Sequence, residues 1–562
     1  MAELNEALAG ELQRQGVTRV FSLLGEDVVK LGVCLAEYGI KLITARHEAG
    51  AVAMADGYAR VSGKVAVALI SRGPGLTNAM TGLVNGAKAS NPVLVITGDS
   101  PAGLRGGNYS KWVDQTALLE AAEIPFVTIG SAASAVADLA VALDRVRDGQ
   151  LMVAQFPGTI LEEEAGNAAP SVVLPEPAPK PGPPSSNEIK MLADLLQEDW
   201  AFSHPVILAG RGAHRAGARA DLRRLGERLG AVLTTTLMGN GLFRDDPFSV
   251  GISGTYSTET AIELLRLADV VLAFGTTLDP LTTDSGLMYP RARVIRFDAD
   301  PAQAERGSMP SEIFVVADAR EAASALADEL DRRGHRIIGM RTDAVRRRIA
   351  EAGRPQPIHD LGGPGLLDPR LVMRMIDQIL PEERTVVLDN GHHAAFSTAQ
   401  LSVPDPGAFV SPLEFHCVGA ATGMVTGAAL ARPDRMTVFC VGDTGALMTL
   451  GEIESIARHQ LPVLVIVLDD GGLGAEIQYL RVLGIDDAVA REQTPAFAAI
   501  ARGMGYDAYA IETLDDLSAL AGVISRPQKP TLLEVRVTPD VRADWVEVVM
   551  LGHRSQESAT TA

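Results

Sequence analysis

Met436-Thr437-Val438-Phe439-Cys440-Val441-Gly442-Asp443-Thr444-Gly445 and Pro462-Val463-Leu464-Val465-Ile466-Val467-Leu468-Asp469-Asp470-Gly471-Gly472 decide how this chain folds. Each is an apolar run of the length expected for a buried parallel strand, and each ends on acids and glycines. Between them, Thr449 to His459 has helical spacing. Strand, helix, strand in that order makes a βαβ unit, and it puts Asp443 and Asp470 just past the carboxyl ends of two strands, where open α/β sheets bind ligands. Two hard oxygen ligands beside residues small enough to let backbone approach suit Mg²⁺ or Ca²⁺ holding a diphosphate. The same residues also fit a plainer role, in which Asp443 caps a helix and Asp469-Asp470 make a turn.

Outward from this unit the same alternation repeats. Arg19 to Leu23, Lys41 to Thr44, Val65 to Ile70 and Pro92 to Ile96 read as strands, with helices over Ala49 to Arg60 and Thr77 to Ala89. Ala168 to Ser186 is Pro-rich and reads as a stiff, extended linker. A second block holds strands near Pro205 to Ala209, Ala231 to Thr236, Val270 to Gly275 and Val294 to Asp298. It is Rossmann-like, but Gly210-Arg211-Gly212 lacks a full dinucleotide fingerprint, which favours a purely structural sheet. Arg354 to Gly365 makes a second linker. The expected organisation is therefore α/β, three doubly wound parallel-sheet domains over residues 1–165, 187–350 and 366–546, suggestive of internal duplication, with a mobile tail beyond Asp544.

Composition narrows the class. A chain of 562 residues exceeds one core. No apolar run reaches membrane-spanning length, and Met1 to Gln15 lacks both a signal-peptide core and a basic leader. A net charge of −20 argues against nucleic acid or anionic membrane as partners. Cys34, Cys417 and Cys440 have no metal spacing and read as thiols in a reducing cytoplasm.

The segment from Gly442 to Gly472 resembles the diphosphate-and-metal motif of thiamine diphosphate (ThDP) enzymes, Gly-Asp-Gly followed by Asn-Asn. Here Thr444 replaces the last Gly and Asp469-Asp470 replace Asn-Asn. Asp keeps an oxygen at the ligand position, whereas the Cβ of Thr444 crowds a backbone that must approach phosphate. The three-block order is similar to that of the acetolactate synthase-like branch: pyrimidine-binding, central and diphosphate-binding domains. In the central block Thr235 to Gly241 and Asp298-Ala299-Asp300-Pro301 match patterns usual there, while Gly275-Thr276-Thr277-Leu278-Asp279 departs from the flavin loop of acetolactate synthases.

By pattern alone Glu48, in Arg46-His47-Glu48-Ala49-Gly50, is a first-turn acid favoured by the helix dipole. The string resembles the family's activating-glutamate motif. That resemblance implies a carboxylic acid in a mostly apolar pocket, bonded to a ring nitrogen of the aminopyrimidine and helping to take the proton from the thiazolium carbon. It further implies that Pro74 and Asn78 pack the pyrimidine, that Gln115 is a site glutamine, and that Gly391, His392, His393 and His416 lie by the diphosphate with Gly442, Thr444 and Gly445. Val418 takes the position of the large apolar residue that bends the cofactor. Asp443, Asp470 and Gly472 take the metal positions. Without the resemblance, Gly73-Pro74-Gly75 is simple punctuation and His392-His393 are candidate metal ligands, although neighbouring side chains diverge.

Glu476 and Glu26 match acids of pyruvate decarboxylase-type enzymes. They are expected to move protons and to raise one another's proton affinity, or else to be exposed loop acids. The resulting expectation is a ThDP- and Mg²⁺-dependent enzyme that breaks or makes a C–C bond in 2-oxo acids or 2-ketones, with acetolactate-type transfer from pyruvate leading. The alternatives are simple decarboxylation or diketone hydrolysis, and a nucleotide- or flavin-binding regulator with a vestigial ThDP site. FAD or ADP is a candidate in the central block. The resemblance also implies a homodimer or homotetramer with Glu48 and Asp470 meeting across a subunit interface.

Overall fold

The computed structural model describes residues 3–101, 103, 109–174, 180–199, 202–307, 309–543 and 545–546. The tail past Asp544 is outside these except for 545–546, and so is the 175–179 part of the Pro-rich linker.

The alternating apolar runs form three six-stranded sheets, all parallel, with helices on their faces. The first contains β1 (Arg19–Leu23), β2 (Lys41–Thr44), β3 (Ala66–Ile70), β4 (Val93–Asp99), β5 (Phe126–Thr128) and β6 (Met152–Pro157), in the order β2-β1-β3-β4-β6-β5. The central sheet contains β7 (Pro205–Ala209), β8 (Val232–Thr235), β9 (Ser249–Ile252), β10 (Val270–Phe274), β11 (Arg293–Asp298) and β12 (Ile313–Val316), in the order β12-β11-β10-β7-β8-β9. The third contains β13 (Arg384–Leu388), β14 (Phe409–Val410), β15 (Met436–Gly442), β16 (Val463–Asp469), β17 (Asp507–Ile511) and β18 (Thr531–Arg536), in the order β14-β13-β15-β16-β18-β17. Counted from its own first strand, the third sheet repeats the order of the first. The central sheet has instead the order of a dinucleotide-binding fold, reversing between β7 and β10.

Strands β5 and β6 were not among the expected elements. β5 spans three residues, and β6 carries a polar residue, Gln155, amid apolar ones and ends on Pro157. Gln155 is tolerated at 0% exposure because it accepts from Gln115 and donates to Thr128.

Outer and central parts are tied by glycine contacts and buried ions. Helix Glu48–Ser62 of the first unit crosses helix Ala421–Ala431 of the third at backbone distance. A Cβ on Gly57 would lie 2.2 Å from the Met424 carbonyl oxygen, and one on Gly427 would lie 1.9 Å from that of Met54. Beside this crossing the buried Glu414 carboxylate accepts from Arg60 of the first unit and Arg211 of the central one. Arg215 donates to the side chain of Asn91, and Asn91 donates to Asp56. Breaking such a buried network by removing one partner strands a charge, which costs several times what a surface pair contributes.

Replacing Gly427 by Val forces the two helices apart. Its thermal midpoint should fall by about 3–10 °C, whereas Gly522→Ala, where a Cβ meets nothing within 4 Å, should leave scanning calorimetry unchanged.

Candidate active site

At the carboxyl edge of the third sheet, β15 and β16 end side by side. Asp443 opens helix Asp443–Met448, and its two oxygens accept from the backbone N–H of Thr444 at 2.7 Å and of Gly472 at 2.9 Å. The Thr444 hydroxyl donates to the Gly472 carbonyl at 3.2 Å and joins the two strand ends. Gly472 has φ +149°, and a Cβ there would lie 2.2 Å from the Ala490 oxygen, so only glycine fits. Asp469 accepts from Gly471 N–H and the Thr494 hydroxyl, which makes it the turn former of the acidic pair. Asp470 is left facing His392, with Nδ1 3.6 Å away. Burial, and then repulsion from Asp470, pushes the Asp443 carboxyl well above the ordinary carboxylate range. Neither Asp443 nor Asp470 has a lysine or arginine ion pair among the described residues.

Asp389, at the end of β13, accepts from Gly419 N–H at 2.7 Å and anchors the 416–421 loop. Burial raises its carboxyl to about 7, against the pull of the N–H groups of Gly419, Ala421 and Asn390. The loop presents His416, at φ +52°, and Val418, 39% exposed, and a Cβ on Gly445 would touch both Asp389 and Val418. The two adjacent histidines diverge. His392 accepts from Ala543 N–H through Nε2, whereas the His393 ring turns toward β15, its pKa pulled down to about 3 by burial and by His392. Gly391 and Gly442 border the His393 ring, each with its would-be Cβ within 3.1 Å of Nδ1. Among the described residues no three His, Cys, Asp or Glu converge as a protein-only metal cage.

At the corresponding edge of the first sheet, Glu48 starts helix Glu48–Ser62 and is half-buried rather than enclosed by apolar side chains. The Asn78 amide donates to its Oε2 at 3.0 Å, and Gly75 leaves open space 3.4 Å from its Oε1. Pro74 and Asn78 are exposed beside it. Gln115 is not available as a site glutamine. It is 3% exposed, and it accepts from Gly73 N–H and donates to Gly98 and Gln155, holding the Gly73-Pro74-Gly75 turn against β4 and β6. Among the described residues no hydrogen bond joins Glu26 to Glu476. Glu26 accepts from Lys111 at 2.9 Å, and that bond holds its carboxyl below the ordinary range. Glu476 is exposed in the first turn of helix Gly474–Val482.

Glu452 was not anticipated. It is 3% exposed on helix Leu450–Arg458, and its Oε1 accepts from Arg46 and His47 N–H at 2.9 Å, so the third unit holds the chain just ahead of the helix that starts at Glu48. Its sequence signal is an acid on the apolar face beside Ile453 and Ile456. Within the described residues no hydrogen bond or ion pair joins Glu48 to Asp443 or Asp470.

A cavity of about 1490 Å³ opens where the central sheet reverses, lined by Gly210, Arg211, Thr276 and Asp298 and reaching Gly391 and His416, but not Glu48, Asp443 or Asp470. Gly210 and Gly212 press against Gly275 backbone, 2.2 and 2.7 Å from their would-be Cβ atoms, which accounts for both glycines by packing.

Three family models match: "Thiamine pyrophosphate enzyme, N-terminal TPP binding domain" over residues 2–118, the central domain over 189–326 and the C-terminal TPP binding domain over 389–535. Among curated relatives, a sulfoacetaldehyde acetyltransferase of Castellaniella defragrans is 28% identical, covering 96% of this chain and 93% of its own. An acetolactate synthase of Arthrospira platensis is 29% identical over 98% of this chain and 96% of its own. The solved Rhodococcus jostii RHA1 thiamine diphosphate-dependent 4-hydroxybenzoylformate decarboxylase superposes with a TM-score of 0.77 at 21% identity, over 96% of this chain and 99% of that one. No helix among the described residues is long and apolar enough to cross a membrane.

The raised Asp389 carboxyl gives a pH signature. Folded Asp389 stays protonated to about 7 while the unfolded chain ionises near pH 4, so the cofactor-free protein loses stability as pH rises through that window. Asp389→Asn should flatten this slope in thermal midpoints taken between about pH 4 and 7.

Proposed function

This chain belongs to the thiamine pyrophosphate enzymes, and on that premise we propose that it works with a divalent cation, Mg²⁺, to break and make a C–C bond next to the carbonyl of a 2-oxo acid or 2-ketone. Transfer of a two-carbon acyl unit from pyruvate to a carbonyl acceptor is the leading reaction. The observation that carries this reading is the pair Asp443 and Asp470, gathered at two strand ends with no lysine or arginine ion pair among the described residues. A divalent ion and the tail of a diphosphate complete that charge set. The Gly472 carbonyl keeps a lone pair beyond its bond from Thr444 and is the third protein ligand.

Thiamine diphosphate, when bound, supplies the ring that stabilises negative charge on the substrate's former carbonyl carbon. This chain's residues bind and orient it. Gly391, His392, His393 and His416, with Gly442, Thr444 and Gly445, form the bed for the diphosphate, and Val418 supports the bend. Pro74 and Asn78 flank the pyrimidine. Glu48, its Oε2 engaged by Asn78, holds a proton at Oε1 toward a ring nitrogen. Of the two further acids, Glu476 keeps the proton-transfer role, because Lys111 favours the ionised form of Glu26.

Two copies are needed in this reading. Glu48 lacks a bond to the acidic pair of its own chain, and exposed Val418, Leu447, Met448 and Tyr479 crowd the elements around Asp443 and Asp470. A dimer is the minimum and a tetramer fits equally, with working units over residues 1–165, 187–350 and 366–546. Free thiols at Cys34, Cys417 and Cys440 suit the cytoplasm. A second ligand, FAD or ADP, is supported by the cavity at the switch point of the central sheet. The rival reading of a regulator with a vestigial site loses support from Thr444, whose hydroxyl braces the turn.

Glu48→Gln and Asp443→Asn should each abolish turnover of pyruvate while thermal midpoints stay near the parent. Mixed and allowed to exchange subunits, the two inactive variants should regain about a quarter of parental activity if sites are shared between copies. No recovery after verified exchange counts against shared sites, and full activity of Glu48→Gln alone refutes its role. Free aldehyde as the only product would favour decarboxylation over ligation.

A further inference from the structure

Arg72 is a buried cation that the reaction so far has not used. It immediately precedes the Gly73-Pro74-Gly75 turn that opens toward Glu48, and its side chain is 8% exposed. Its Nη2 donates to the Tyr109 hydroxyl at 2.8 Å and reaches Glu26 at a long 3.4 Å, with the guanidinium 5.6 Å from the Tyr109 ring centre. Its Nε is buried without a hydrogen-bond partner. Lys111, a second cation, bonds the same Glu26 oxygen at 2.9 Å. The neighbouring Asp27 is spent elsewhere, accepting from the Ser71 hydroxyl at 2.6 Å and from Arg72 backbone N–H at 2.9 Å.

The guanidinium is thus held in place by packing and an aromatic ring, and among the described residues its counter-ion is a shared, two-thirds exposed carboxylate. A desolvated guanidinium with unused N–H groups favours a planar or tetrahedral oxyanion. Resting on the reading above, we propose that Arg72, with Lys111, anchors a non-reacting anionic group of the substrate: a carboxylate, sulfonate or phosphate distant from the carbonyl that reacts. The carboxylate lost as CO₂ does not fit this place. Its charge must disperse in the transition state, and a cation gripping it would hold the ground state back. A charge that persists through the reaction gains binding and orientation from the same cation without opposing the chemistry. Glu26 acts as a placeholder that the anion displaces from Arg72.

The holoenzyme, its Arg72→Gln form and its Arg72→Lys form would be titrated calorimetrically with glutarate, isethionate and inorganic phosphate. The same three proteins would be assayed with 2-oxoglutarate against 2-oxopentanoate, which lacks the distal carboxylate. Expected is binding of at least one anion to the parent, weakened about 10- to 100-fold by Gln and less by Lys. The probe that binds best identifies the group. Where 2-oxo acids turn over, the kcat/KM preference for the anionic substrate class should shrink by the same factor in Arg72→Gln. Equal binding of all three anions by parent and Gln form overturns the proposal, as does an equal loss for charged and uncharged substrates. Binding needs no turnover, so a parent that turns over neither pyruvate nor these 2-oxo acids yet binds an anion through Arg72 would sink the reaction reading and leave the anchor standing.

Discussion

Two carboxylates held at the ends of adjacent parallel strands, with backbone N–H groups and one histidine as company, are the constraint around which the third sheet is arranged. Among the described residues neither Asp443 nor Asp470 has a lysine or arginine ion pair, and geometry holds the two in place. Gly472 and Thr444 fix Asp443 by two backbone donors, and the Thr444 hydroxyl locks one strand end to the other. Asp469 forms the turn that makes Asp470 project. One strand over, Asp389 holds the loop of His416 and Val418 by accepting from Gly419 and Ala421 N–H, while burial raises its carboxyl to about 7.

This arrangement matters only if the third unit is rigidly placed against the first. Direct contact between glycines and backbone at the crossing of helices Glu48–Ser62 and Ala421–Ala431 leaves no room for sliding. Glu452 adds direction to it: an acid of the third unit accepts the N–H groups of Arg46 and His47, just ahead of the helix that carries Glu48, so the orientation of Glu48 depends on both units. The buried ions at Arg60, Arg211 and Glu414 then fix the central sheet to both. Shared strand order in the first and third sheets, against a different order in the central one, fits two working halves braced by a third part of separate descent.

Sequence carried the strand ends well because each is a local signal: an apolar run, then an acid, then glycine. Asp443, Asp470, Glu48 and Asn78 all lie within a few residues of such a boundary, and the structure puts them at the sheet edges expected. What stayed hidden was non-local pairing. Gln115 looked like a site residue because the strand that consumes its amide, β6, has a polar centre and was not read as a strand. Glu26 looked like a proton donor because Lys111, far along the chain, is invisible as its partner. Glu452 looked like one helix acid among many, since its partners belong to another unit. Thr444 drew notice for its Cβ alone, since the Gly472 carbonyl that its hydroxyl reaches lies on another strand end.

The net charge of −20 offers a last lesson in scale. A strongly acidic chain repels anions at long range, but the screening length of about 8 Å at physiological salt confines that effect to the outer surface. Inside, the balance is set by a few desolvated groups: Arg60, Arg211 and Arg215 at the boundary of the units, and Arg72 at the edge of the first sheet. Each is worth more there than many solvated acids, because Coulomb energy grows as the local dielectric falls. The field felt inside the fold is therefore set by burial and geometry more than by the bulk acidity of the surface.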